Sequence, residues 1–294
     1  MKVSGFSFIR NAIKYDYPIV EAVQSVLPLC DEFVIAIGKS DDATLELIKS
    51  IHSPKIKIIE TVWDDSKRKD GVVLAEETNK AFHAIDEDSD WAFYIQGDEL
   101  LHEQYLDAVR EQMLRWKDFP EVDGLLFRYK HFYGSYDYVA ISPRWYRHEI
   151  RIIRNRKNIY SYRDAQGFRK DNNKKLNVKR IDAFIYHYGW VKHPQFMQQK
   201  IENFGRLYHD DQWMETHIPK ANEFDYSGID LLTRFEGQHP HVMQERIVHT
   251  NWSFDHDLSK SNLSWKYRLK LLVEKWTGYQ LFEYKNYRLL KNGE

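Results

Sequence analysis

Gln96, Gly97, Asp98 and Glu99 follow directly on the apolar run Trp91–Ile95, in the stretch DWAFYIQGDELLHEQ. Hard divalent cations such as Mg²⁺ and Mn²⁺ take oxygen ligands, commonly one or two carboxylates with phosphate oxygens completing the shell. Glycine lets a ligand come close to the backbone, so the cluster suits a cation bound to a diphosphate. A solvated loop in which Asp98 or Glu99 caps the next helix would use the same residues. Lys67, Arg68 and Lys69 (SKRKDG) precede a helix that starts near Gly71, whose free amides attract an anion; an exposed charged loop has the same composition. His187, in IYHYGW, is a lone histidine in a strand pattern, usually a residue satisfied within the fold. His239-Pro240-His241 and His209-Asp210-Asp211 lack the spacing of a zinc site and read as structural or acceptor-side residues.

The elements that must position these groups follow from periodicity. Lys2–Ile9, Glu32–Ile37, Lys55–Val62 and Trp91–Ile95 read as strands, and Pro18–Leu27, ATLELIKSI and Gly71–Ile85 as the helices between them. Ser40 or Asp41 is the expected cap of the second helix. A further helix is predicted from His102 to Trp116, with Leu101, Tyr105, Val109, Met113 and Trp116 on one face. Strand–helix alternation of this kind predicts an α/β protein: a mostly parallel, Rossmann-like sheet flanked by helices, with ligands outside the carboxyl ends of the strands. Gly38–Asp42, Arg68 and Asp98 should then line one cleft. After Pro120, VDGLLFRYKHFYG and EIRIIRN are strands without intervening helices, so the sheet becomes mixed. From about Pro194 the chain is mainly helical. A boundary near residue 192 divides it into residues 1–192 and a C-terminal extension, 193–294, packed on them.

The 294 residues permit one large domain or two ordinary ones, and 43% hydrophobic content is enough for a core. With 43 basic and 44 acidic residues, no global field argues for nucleic acid. The single cysteine, Cys30, allows no internal disulfide and suits a reducing cytoplasm. MKVSGFSFIRNA lacks the apolar core of a signal peptide, and no apolar run approaches the ~20 residues of a membrane span. The segment SWKYRLKLLVEKWTGYQLFEYKNYRLLK is basic and aromatic. It reads as a docked amphipathic helix, or as a peripheral contact with an anionic membrane surface, which would be the inner face.

Three stretches, CDEFVIAIGKSDDATLELIKS, DGVVLAEETNKAF and DWAFYIQGDELLHEQYL, resemble the landmarks of family 2 glycosyltransferases with the GT-A fold. The resemblance covers roughly residues 1–116 and continues weakly through RIIRN and through IYHYGW with a later lysine. It implies an inverting hexosyltransferase of polysaccharide biosynthesis, with a nucleotide-sugar donor, a glycan or lipid-linked acceptor, and Mn²⁺ or Mg²⁺. For the donor it implies Ile9, Asn11, Ile37, Ser40, Asp42, Arg68, Lys69, Asn79 (four after Ala75), Gln96 and Asp98. For the metal it implies Asp98 and His187, assisted by Gln96. For the base that takes the acceptor's proton it implies Asp164, then Glu149. Two positions depart from the family: Ile37 replaces its usual aspartate, and Gln96 the first carboxylate of Asp-x-Asp. Those departures favour the alternative of a non-catalytic nucleotide-sugar or glycan-binding protein. A nucleotidyltransferase would carry a glycine-rich loop near the first strand, and FSFIRNAIK has none.

Overall fold

The computed structural model describes residues 1–67, 69–218, 221–259, 261–277 and 281–291. Strands β1 (Val3–Ile9), β2 (Glu32–Gly38), β3 (Ile56–Thr61) and β4 (Trp91–Tyr94) run parallel in the order β3-β2-β1-β4. They are joined by α1 (Ile19–Val26), α2 (Thr44–Lys49) and α3 (Val72–His83). Every residue of β2 is buried. The apolar run EFVIAI therefore has no alternation, as a strand covered by helices on both faces requires. Phe33 and Ile35 pack into one core and Val34 and Ala36 into another, on opposite faces of the sheet. Each such side chain contributes on the order of 1.5–3 kcal/mol on burial. α1 buries Ile19, Ala22, Val23 and Val26, the stripe of a helix on a sheet.

Two local expectations are corrected. The side chain that satisfies the start of α2 is Asp42, whose Oδ1 accepts the Thr44 N–H at 3.0 Å; Ser40 Oγ instead accepts the Asn11 N–H. The stretch predicted as one helix from His102 is divided. β5 (Glu99–Leu101) comes first, a 3₁₀ turn over Glu103–Tyr105 follows, and α4 (Leu106–Trp116) carries the buried Val109, Met113 and Trp116. Leu101 is drawn into the sheet because β5 finds a partner strand far along the chain.

Beyond residue 120 the sheet is mixed. β6 (Gly124–Tyr133), β7 (Ser135–Ala140) and β8 (His148–Arg154) extend it, with β8 antiparallel to both β4 and β6. β9 (Ile159–Tyr162), β10 (Gly167–Lys170) and β11 (Lys174–Lys175) form a small separate sheet. The long β12 (Asn177–Trp190) runs parallel to β6 and antiparallel to β5. The rest comprises α5 (Pro194–Tyr208), α6 (Asp211–His217), β13 (Leu232–Arg234), α7 (Gln244–Val248), α8 (Trp265–Thr277) and β14 (Arg288–Leu289). β13 pairs with β7 and β14 with β12, so this region is stitched into the main sheet. Among the described residues no helix is long and apolar enough to cross a membrane.

Candidate active site

The carboxyl ends of β1 and β4 open onto a cavity of about 550 Å³ lined in part by Ile9, Gln96, Gly97, Asp98, His187 and Lys200. After β4 the chain turns, and Glu99 N–H donates to Gln96 O at 3.1 Å. The turn passes so close to β1 that a Cβ on Gly97 would lie 2.9 Å from Ile9 Cδ1. β5 then pairs with β12 in a register that sets Glu99 opposite His187. That pairing brings the His187 imidazole to Asp98, with Nε2 3.8 Å from Oδ1.

Asp98 is buried, and Lys200 on α5 places Nζ 3.0 Å from its Oδ2 and 2.8 Å from Gly189 O. Burial would raise the Asp98 carboxyl, but Lys200, His187 and Lys192 outweigh it and hold the group well below the ordinary carboxylate range. Asp98 is thus an anion. Lys192 is buried with its ammonium on Asp16 O at 2.5 Å; burial and the Lys200 charge bring it down to about 7.

A chain of hydrogen bonds assigns the tautomer of His187. His131 Nε2 lies 2.8 Å from Tyr146 O, which can only accept, so that nitrogen carries the proton. Its Nδ1, on a ring kept neutral by burial, then accepts from His187 Nδ1 at 3.0 Å. Burial lowers His187 too, against the pull of Asp98. Its Nε2 therefore presents a lone pair toward the Asp98 carboxylate, an arrangement that wants a cation between them. Gly189 keeps this space open, since a Cβ there would lie 2.6 Å from His187 Nε2 and 2.8 Å from Asp98 Oδ2. The pair could supply two ligands to a divalent ion. Among the described residues no group of three or more His, Cys, Asp or Glu side chains could hold one alone.

Of the two carboxylates in the cluster, only Asp98 lines the cavity. Glu99 is fully buried, held by Arg151 through two bonds of 2.7 Å and by Tyr129 Oη at 2.9 Å. Gln96 Nε2 donates to Ala165 O at 3.1 Å, and Arg151 Nη1 to Gln166 O at 3.0 Å, so both brace the loop that carries Asp164. In that loop Arg163 and Ala165 have φ of 55° and 62°, costing of order 1 kcal/mol each for residues with a Cβ. Between them Asp164 reaches the cavity wall and accepts from Tyr208 Oη at 3.3 Å. Gly71, at φ 64°, makes room: a Cβ on it would lie 2.8 Å from the Tyr208 ring and 2.9 Å from Asp164 Cβ.

Several residues expected at the donor site stand elsewhere. Ile37 is packed in the apolar core. Asn11, Ser40 and Asp42 tie the end of β1 to the start of α2: Asn11 Oδ1 accepts from Asp41 N–H at 2.8 Å, and Asp42 Oδ2 from Lys14 N–H at 2.8 Å. Residues 38–42 do not line the cavity, and the Trp63 indole, which does, lies against Gly38. Asn79 is spent on β9, accepting from Ser161 N–H at 2.7 Å. Lys69 is exposed, and Arg68 lies outside the described residues. Glu149 lies off this cavity, nearly buried at 4% exposure, with Oε2 unpartnered. His209 stacks on Trp213, and His239 is enclosed by Phe132 and Phe235 with Nδ1 at 2.8 Å from Tyr188 Oη, so neither gathers a zinc ligand set. Reading the residues one by one does not single out Lys192, Tyr208 or the Arg10–Trp63 stack (5.3 Å). Gly189, directly after the His187 strand pattern, is the signal that was available.

No protein-family model matches the chain, and no curated protein sequence matches it. Among solved structures it is similar to S. aureus TarS 1-349, at 14% identity and a TM-score of 0.40 over 69% of this chain and 64% of that one. The same protein in complex with UDP gives 13% and 0.41 over 76% and 68%. Glucosyl-3-phosphoglycerate synthase from Mycobacterium tuberculosis, in complex with Mn²⁺, UDP and phosphoglyceric acid, gives 16% and 0.29 over 45% and 43%. The chain thus spans less than two thirds of the first of these structures.

Proposed function

We propose that this chain is a family 2-like glycosyltransferase with the GT-A fold, a hexosyltransferase of polysaccharide biosynthesis. It moves a sugar, with inversion, from a nucleotide donor to a hydroxyl of a glycan or lipid-linked acceptor. The observation that carries this reading is Asp98, an anion at a strand end, sharing one cavity with His187, Lys200 and, on another wall, Asp164. Asp164 takes the acceptor's hydroxyl proton while that oxygen bonds to the anomeric carbon. The bond from that carbon to phosphate oxygen breaks, and the diphosphate leaves with the electron pair. Lys200 sits where it meets that developing charge. Asp98 and His187, with Gln96 assisting, would hold Mn²⁺ or Mg²⁺, which would supply Lewis-acid charge there. Trp63, with its indole N–H unpartnered and Arg10 over its ring, offers a face to the nucleotide base.

In this reading residues 1–192 hold the donor, and residues 193–294 close the site through Lys200 and Tyr208. The protein works in the cytoplasm against the inner face of the membrane. α8 carries that contact, since Trp265, Leu269, Leu272 and Trp276 are exposed along one face beside Lys266, Arg268 and Lys275. A thermal-shift panel of nucleotide sugars with and without Mn²⁺ tests the assignment. An accepted donor at a hundredfold its Kd should stabilise the fold by about 2.7 kcal/mol. No shift with any nucleotide or nucleotide sugar would overturn the reading. The second reading, a non-catalytic binder, draws on Ile37, which offers no carboxylate at the position the family uses. A donor that binds but is neither hydrolysed nor transferred would establish it.

A further inference from the structure

The turn after β4 presents Asp98 and also grips the loop that carries Asp164, and Gln96 makes the direct contact. Ala165 O can only accept, so the amide atom that meets it at 3.1 Å is Gln96 Nε2, which also lies 3.3 Å from Tyr94 Oη. Glu99 fixes the backbone of Gln96: its Oε2 accepts the Gln96 N–H at 3.2 Å, and its own N–H donates to Gln96 O at 3.1 Å. Glu99 also holds Arg151, which donates to Gln166 O at 3.0 Å. The carbonyls of the two residues after Asp164 are thus both held from the strand end that presents Asp98. The loop needs such support, because Arg163 and the wholly buried Ala165 both take left-handed φ, which is costly for residues with a Cβ.

We propose that Gln96 is a positioning residue for the base: its amide N–H holds the Asp164 loop in place opposite Asp98 for transfer. The inference rests on the glycosyltransferase reading and deepens it. It also gives the glutamine a reason to stand where the family has a carboxylate. An ionised carboxylate has no proton to donate, and its oxygens would repel the Ala165 carbonyl. On this account Gln96 belongs to the catalytic arrangement and no longer favours a non-catalytic binder. Help to a cation would come through the amide oxygen, whereas this role uses the nitrogen, so substitution separates the two. Gln96→Glu keeps the length and improves a cation ligand, and Gln96→Met keeps the length and deletes it. Both delete the donor to Ala165 O.

Turnover of the nucleotide sugar that gives the largest thermal shift, by transfer or by hydrolysis, tests this in wild type, Gln96→Glu and Gln96→Met. Both variants should lose roughly tenfold in kcat, the worth of one good hydrogen bond. In Gln96→Met the donor's KM and the thermal shift given by UDP should stay as in the wild type. Amide hydrogen exchange across residues 163–166 should quicken in Gln96→Met and stay unchanged elsewhere, which keeps the proposal falsifiable if Gln96→Glu does not fold. Opposite effects, with Gln96→Glu faster or needing less Mn²⁺ and Gln96→Met slower, would make Gln96 a cation ligand and overturn the proposal. An unchanged kcat in both variants or unquickened exchange in the loop would also overturn it. So would a Gln96→Met that loses kcat and UDP binding together, the mark of a merely structural role. A wild type that binds UDP but turns over no donor removes the transferase reading, and this role with it.

Discussion

Glu149→Gln probes a proton that the fold itself holds. Glu149 lies on β8, buried, with Oε2 unpaired. Burial, and next the charges of Glu99 and Asp164, push its carboxyl from 4.5 to about 8 against the pull of Arg151. Between those values the unfolded chain has ionised this group while the folded chain keeps its proton. The folded state then binds more protons, so stability must fall as pH rises across that window. The slope is at most about 1.4 kcal/mol per pH unit, and the whole window amounts to at most roughly 5 kcal/mol. Urea denaturation of wild type and Glu149→Gln, measured from pH 4.5 to pH 8, reads the effect as a difference. Other groups, including Lys192 near 7, cancel in that difference. The variant should gain on the wild type steadily and exceed it at the upper end. Parallel profiles would show that Glu149 ionises in the folded chain as freely as in the unfolded one, and the account of its burial would fail.

Asp98→Asn keeps the shape but removes the charge facing Lys200 and His187, and transfer should fall by on the order of 10²–10³. Unchanged transfer in that variant, or undiminished transfer in excess EDTA, would falsify the metal assignment. Gly189→Ala places a methyl against His187 Nε2 and Asp98 Oδ2; the overpacking should cost about 1–3 kcal/mol of urea stability, and Mn²⁺-dependent stabilisation by the donor should be lost in the folded variant. An unaltered Mn²⁺ response would show that nothing binds between those atoms. Vesicles of anionic lipid should bind the protein and shift its tryptophan emission, neutral vesicles should not, and Leu269→Ser with Trp276→Ser should weaken the contact several-fold. Equal binding to both lipids would remove the electrostatic part of that contact.

The parallel half of the fold is legible in the sequence because its signals are local. EFVIAI is too short and too uniformly apolar for a surface helix, and the stripe Ile19, Val23, Val26 has no other use. The acidic cluster is legible as a candidate site for the same reason: it directly follows a buried strand. What sets its chemistry is not local. His187 reaches Asp98 only through the pairing of β5 with β12, and Lys200 is 102 positions from the carboxylate it meets. Three residues, Glu99–Leu101, decide whether the chain continues as helix or adds a strand, and periodicity read through Leu101 favours the helix. Asn79 and Asp42 show the converse. Each matches a motif position, yet the hydrogen bonds they make are to neighbouring backbone that no motif records.

The Glu99–Arg151 pair has a consequence for inheritance. Both groups are wholly buried, so losing either strands the other's charge at a cost of about 3–5 kcal/mol, whereas replacing both by apolar residues of similar volume can be nearly neutral. Descendants of this chain can therefore abandon the pair only through an intermediate that has given up much of a typical domain's stability. The two codons should persist or disappear together, even in lineages where the chemistry at Asp98 has drifted away.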